Sequence, residues 1–159
     1  MLTDLPTLVK KGSCLLGLDP GSTVIGIAVS DPNWIVASPL VGLQRHKKFA
    51  EDAAAMVKII RERQIGGIIV GLPKNMDGSE GPAAQAARAL ARNLIERGQL
   101  PDPNIPVVFW DERMSSAAVE RFLIEDDMSR KRRDAVIDKA AAAYILQGAL
   151  DALKNFSQS

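Results

Sequence analysis

Four short runs of unbroken apolar residues constrain this chain more than anything else in it. They are Cys14-Leu15-Leu16-Gly17-Leu18, Val24-Ile25-Gly26-Ile27-Ala28-Val29, Ile68-Ile69-Val70 and Val107-Val108-Phe109-Trp110. Each is too short for a core helix and lacks the polar alternation of a half-exposed strand. Such runs belong to strands covered on both faces. Between them lie segments with helical periodicity, so the chain must build a sheet with helices on both sides.

The expected elements follow from this. Residues 14–19, 23–30 and 34–43 read as three strands. Ser22-Thr23 and Asp31-Pro32-Asn33 supply the turns. Short turns between sequential strands imply an antiparallel meander. Residues 49–64 read as a helix, with Ala53, Met56, Val57 and Ile60 on one face and Gly66-Gly67 ending it. A strand at 68–70 and a Gly/Pro-rich loop at 71–82 come next, then a helix at about 83–97. The strand at 107–110 is followed by a helix from Ser115 to about Asp126. A basic loop at Arg130–Arg133 precedes a last helix from about Asp134 to Leu153. The fold class is therefore α/β, a mixed five-stranded sheet: a three-strand antiparallel meander plus two parallel strands. The strands at 14–19, 68–70 and 107–110 are expected in the centre. Residues 1–12 read as an N-terminal arm, 13–154 as a single domain and 155–159 as a tail.

With 159 residues, 47% of them hydrophobic, the chain can bury one sizeable core. One cysteine, Cys14, excludes an internal disulfide and a thiolate zinc site. A single histidine, His46, excludes His-rich metal centres. No apolar stretch approaches the ~20 residues of a membrane span, and residues 1–12 lack a signal-peptide pattern. A cytoplasmic protein without membrane attachment is expected. The net charge of +1 confines any nucleic-acid contact to local basic patches.

Acids stand at the borders of this core. Asp19 ends the first apolar run, Asp111-Glu112 ends the last, and Asp138 falls on the apolar face of the final helix. Each alone has a plain reading as a turn, a cap or a salt bridge. Together they point to a shared site, because polar sites in open α/β sheets form beyond the carboxyl ends of strands. Two carboxylates ~4 Å apart repel by about 4 kcal/mol at an effective dielectric of 20. Mg2+ or Mn2+ reverses that sign, and a pair of such ions suits phosphodiester cleavage. Apolar residues on both faces of 107–110 leave open which of Asp111 and Glu112 is the ligand. Lys74 lies in a loop suited to a phosphate. Arg45-His46-Lys47-Lys48 and Arg130-Lys131-Arg132-Arg133 are basic runs suited to a polyanion. Arg113 is placed to orient a carboxylate or to meet phosphoryl charge.

These residues resemble the YqgF family, Holliday-junction-resolvase-like proteins also described as pre-16S rRNA nucleases. The matching stretches are Leu16-Gly17-Leu18-Asp19-Pro20-Gly21-Ser22, Gly71-Leu72-Pro73-Lys74-Asn75-Met76-Asp77-Gly78, Asp111-Glu112-Arg113-Met114-Ser115-Ser116 and Asp138 through Gln147. Met114 and Ser115 stand where Leu and Thr are usual. The strand at 68–70 ends in Gly-Leu-Pro, whereas ribonuclease-H-like nucleases generally carry an acid there. The resemblance implies a ribonuclease-H-like fold and metal-dependent endonuclease activity in 5′-end maturation of 16S rRNA. It implies Asp19, Asp111 or Glu112, and Asp138 as catalytic metal ligands. Lys74, Asn75, Arg113 and Arg130–Arg133 would face the substrate. Structured precursor rRNA is the expected partner, with branched DNA as the alternative, for a monomer or a homodimer. A non-catalytic nucleic-acid-binding module is the competing class. Asp19-Pro20-Gly21-Ser22-Thr23 also resembles the phosphate loop of sugar kinases and actin. That architecture needs two lobes, and this chain has length for one.

Overall fold

The apolar runs pair into one five-stranded sheet. In the computed structural model the described residues are 2–21, 23–98, 100–111 and 130–157, with side chains at 130–139 and 155–157 left aside. The strands are β1 (Cys14–Pro20), β2 (Val24–Ser30), β3 (Ala37–Gln44), β4 (Ile65–Leu72) and β5 (Val107–Asp111). Their order across the sheet is β3-β2-β1-β4-β5. β1 and β2 pair antiparallel, as do β2 and β3, whereas β1, β4 and β5 run parallel. The helices are α1 (Leu5–Leu8), α2 (Phe49–Glu62), α3 (Pro82–Arg97) and α4 (Arg130–Ser157). The mixed five-stranded sheet is thus as expected. Ser22, Glu112, Arg113 and the helix expected from Ser115 to about Asp126 lie outside the described residues.

Two cores sandwich the sheet. Leu16, Leu18, Ile68 and Val70 face Met56 and Ile60 of α2 and Leu90 and Leu94 of α3. Leu15, Ile69 and Val108 face Ala142, Ile145 and Leu146 of α4. The alternation of β1 between these cores explains its unbroken apolar run, since each face of the strand has its own helix layer.

Gly17 lets α4 approach. A Cβ there would lie 2.8 Å from Leu146 Cβ and 3.1 Å from the Ala142 carbonyl oxygen. Gln147 fixes the same helix to the meander, accepting from Ala37 N–H at 2.8 Å and donating to the Ile35 carbonyl at 3.0 Å.

Several boundaries differ from expectation. Gly66-Gly67 lies inside β4 rather than ending α2, which stops at Glu62; Gln64 then takes φ +53. These glycines make room for the N-terminal segment, since a Cβ on Gly66 would come within 2.6 Å of Ser13 Cβ. The segment is itself structured, with a 3-10 turn at Leu2–Asp4, α1, and Leu5 fully buried.

β3 starts at Ala37 because Asp31 winds residues 31–36 into a turn. Its carboxylate accepts from the N–H groups of Ile35 (2.7 Å), Val36 (2.8 Å) and Asn33 (3.1 Å). β5 is an outer strand among the described residues, not a central one. Its apolar run reflects covered faces and carries no information about its edges. Arg130–Arg133 are helical, within α4, and do not form a loop. Arg and Lys are good helix formers, and no Gly or Pro interrupts them.

Gly17→Ala should cost about 1–3 kcal/mol of unfolding free energy in urea titrations, since the added methyl must displace α4. Asp31 adds a pH dependence. Its burial raises the carboxyl pKa, but the N–H groups of Val36, Ile35 and Asn33 outweigh this and hold it below the ordinary value. That stability is present above about pH 3.9 and is lost as the pH falls through the lower folded-state pKa. The stability gap between wild type and Asp31→Asn should therefore close on acidification below that point, and a gap constant with pH would contradict it.

Candidate active site

The carboxyl ends of β1, β4 and β5 open on the same side of the sheet, because the three strands are parallel. Asp19 is the penultimate residue of β1 and is half-buried. It pairs with Gly26 of β2. Period two puts it in the row of Leu15 and Gly17, the row that faces α4. Asp111 ends β5 opposite Leu72 of β4. Two strand spacings, about 10 Å, separate the backbones of β1 and β5.

The two acids do not share a row. Val108 belongs to the core under α4, and the Trp110 indole lies against Gly148 of α4, 3.1 Å from where a Cβ would stand. Val107 and Phe109 pack in the opposite core. Alternation therefore places Asp111 with them, on the α3 side.

Asp138 lies in α4, one turn before Ala142. The last turns of α4 lie near Asn33 and Trp34, where Leu150, Leu153 and Lys154 line a shared cleft. The Trp34 indole donates to the Ser13 carbonyl just before β1 begins. α4 thus runs opposite to β1, and its earlier turns, including the backbone of Asp138, lead toward the end that carries Asp19. Asp138 lies more than two turns after Arg130 within α4, beyond the first turn in which a helix dipole acts.

Among the described residues no three His, Cys, Asp or Glu side chains are grouped to hold a metal ion. Glu112 and the Asp138 side chain lie outside those residues. The donor chemistry at this end of the sheet is nonetheless that of a hard cation, since Asp19 and Asp111 offer only oxygen. Cys14 starts β1 at the opposite end, with its thiol pKa raised by burial and by Asp31. The His46 ring is held by Asp52, Nδ1 to Oδ1 at 2.9 Å.

The loop after β4 is internally braced. Asn75 N–H donates to the Ser79 carbonyl and Gly78 N–H to the Asn75 carbonyl, both at 2.8 Å. Asn75 Nδ2 donates to Ser79 Oγ at 3.0 Å, and Ser79 Oγ donates to Asp77 Oδ1 at 2.6 Å. Asn75 therefore shapes the loop, while Lys74 before it is half-buried. Glu80 ends the loop on Arg88 of α3 in a two-pronged pair of 2.6 and 2.8 Å. This hydrogen-bonded guanidinium holds the Glu80 carboxyl below its ordinary pKa. Arg88 also stacks over Phe109 of β5, 4.8 Å from the ring centre. Loop, α3 and β5 are thereby joined beside Asp111.

Sequence reasoning missed this Arg88 link and the buried Asp52. A signal for Asp52 was present, since it shares the i, i+4, i+8 stripe of Met56 and Ile60.

A family model described as "RuvX: Holliday junction resolvase" matches residues 13–152. The chain belongs to the RuvX family. It is 56% identical over 146 residues to "Putative pre-16S rRNA nuclease" of Paracoccus denitrificans, covering 92% of this chain and 89% of that protein. It is 52% identical over 155 residues to the protein of that name from Phenylobacterium zucineum, covering 97% and 96%. Among solved structures, T. thermophilus RuvC in complex with a Holliday junction substrate superposes with a TM-score of 0.53. The two are 16% identical, over 90% of this chain and 96% of that one. This RuvX-family chain therefore has the ribonuclease-H-like fold expected of it.

Replacing Asn75 by Ala should loosen the loop alone. Amide hydrogen exchange at residues 75–79 should quicken several-fold, while global stability falls by no more than about 1.5 kcal/mol. Unaltered exchange there would show that the Asn75 side chain does not brace the loop.

Proposed function

We propose that this chain is a metal-dependent endonuclease that cleaves a phosphodiester in 5′-end maturation of 16S rRNA, in the cytoplasm. The observation that carries this reading is the placement of Asp19, an acid in the α4-facing row of β1 at its carboxyl end. The earlier turns of α4, with Asp138, lead to that same end. The relatives named as pre-16S rRNA nucleases support the choice of RNA.

Asp19, Glu112 and Asp138 are the proposed ligands of Mg2+ or Mn2+. Glu112 is preferred to Asp111 because the neighbours of Asp111 in β5 put it in the α3-side row, opposite to the row of Asp19. Bound there, the cation would supply Lewis-acid stabilisation of phosphoryl charge and a more acidic water. The protein's own part is to hold the acids in one place and to orient the backbone. Lys74, on its braced loop, meets a phosphate as a point charge. Arg130, Lys131, Arg132 and Arg133 lie on α4 and offer a run of positive charge to a polyanion. Arg113 stabilises charge near the acids.

The family description and the RuvC-like fold keep one second reading, resolution of a four-way DNA junction. Symmetric cleavage of such a junction requires a dimer.

The deciding experiment is cleavage of end-labelled RNA spanning the precursor leader and the mature 5′ end, with Mn2+ or Mg2+. Wild type should give discrete cuts, and Asp19→Asn and Glu112→Gln none. Asp111→Asn should keep most of the activity. Equal loss in the Asp111 and Glu112 variants would remove the preference for Glu112. Cutting of a four-way junction by a dimer, with no cutting of RNA, would replace the RNA reading with the DNA one.

A further inference from the structure

The turn that follows Asp19 is tied to the start of α2 by one side chain. Gly21 N–H closes the turn on the Val24 carbonyl at 2.9 Å. The turn is tight enough that a Cβ on Gly21 would stand 2.4 Å from that carbonyl oxygen. Arg45, just past the end of β3, reaches the turn twice. Its backbone N–H donates to the Thr23 carbonyl at 2.9 Å, and its Nη1 donates to the Gly21 carbonyl at 3.0 Å.

The other side of the guanidinium faces Asp52, with Nε 3.9 Å from Oδ2. Asp52 lies in the first turn of α2 and is only 1% exposed. Its other oxygen accepts the His46 N–H at 2.9 Å. A carboxylate this deeply buried persists only with partners, so the Arg45–Asp52 arrangement resists rearrangement. A planar guanidinium can address a carbonyl and a carboxylate at once, which an ammonium cannot do with the same geometry.

We infer that Arg45 is a positioning residue for the metal-binding acid Asp19, acting through the Gly21 carbonyl and anchored by buried Asp52. This inference rests on the nuclease reading above and deepens it. Arg45 belongs to the basic run 45–48, whose plain expectation is contact with a nucleic-acid phosphate. The geometry separates Arg45 from its neighbours. It is half-buried and engaged on both sides, whereas Lys47 and Lys48 are exposed. The two roles also predict different measurements. A positioning residue acts on metal affinity and on kcat. A phosphate contact acts on KM and on the salt dependence of binding.

The test compares wild type, Arg45→Gln and Arg45→Lys by Mn2+ calorimetry, RNA cleavage kinetics and RNA binding over a salt series. Arg45→Gln should bind Mn2+ about tenfold more weakly, the usual size of effect for a residue that orients a ligand. Its kcat should fall, with KM and salt slope unchanged. Arg45→Lys keeps a cation beside Asp52 and should fold as wild type does, yet it should still lose Mn2+ affinity. It carries the test if Arg45→Gln does not fold. Wild-type Mn2+ affinity in the variants, with a raised KM and a salt slope smaller by about 0.7–0.9, would make Arg45 a phosphate contact and overturn the inference. Unchanged variants beside an active, Mn2+-binding wild type would overturn the inference alone. A wild-type chain that neither binds Mn2+ nor cuts would overturn the nuclease reading and this inference with it.

Discussion

The close seating of α4 on β1 is the contact on which the rest of the molecule depends. Gly17 has no Cβ, so Leu146 and the Ala142 carbonyl rest almost on the strand backbone. Ala28, the cross-strand partner of Gly17, keeps the adjoining part of β2 equally low. A larger residue in this row would lift the helix and move its N-terminal half relative to the end of β1. The helix thereby covers one face of the sheet and aligns its earlier turns with Asp19. The seating of α4 on the sheet is set by a few small residues.

Around that contact the open end of the sheet is stiffened by polar links between distant segments. Arg88 joins the loop after β4 to β5 through Glu80 and Phe109. Arg45 joins the β1–β2 turn to α2 through Gly21 and Asp52. Asn75 and Ser79 close the loop on itself. Such links cost little when each polar group meets a partner.

The strands were legible because burial on both faces leaves a local signature, as at 14–18 and 68–70. The boundaries were less so. Gly66-Gly67 reads as a helix stop until Ser13 and Val9 are seen to pack where its side chains would be. Residues 34–36 read as strand until Asp31 gathers their N–H groups. The strand-end places of Asp19 and Asp111 were legible, from their position at the ends of apolar runs. That Asp111 does not share a row with Asp19 was not, because Val107 to Trp110 are apolar on both sides. Asp52 was legible as an acid on an apolar stripe, but its partners Arg45 and His46 were not.

The sequence alone determined the order of the five strands, the helices between and after them among the described residues, and the acidic residue type at the ends of β1 and β5. These depend on periodicity and side-chain type, which are properties of short segments. The tertiary structure alone decided that β5 lies at the edge, that Asp111 turns from α4, and that Arg45 belongs to the turn after Asp19. These depend on which surfaces meet across many residues of chain, and local pattern carries no record of that choice.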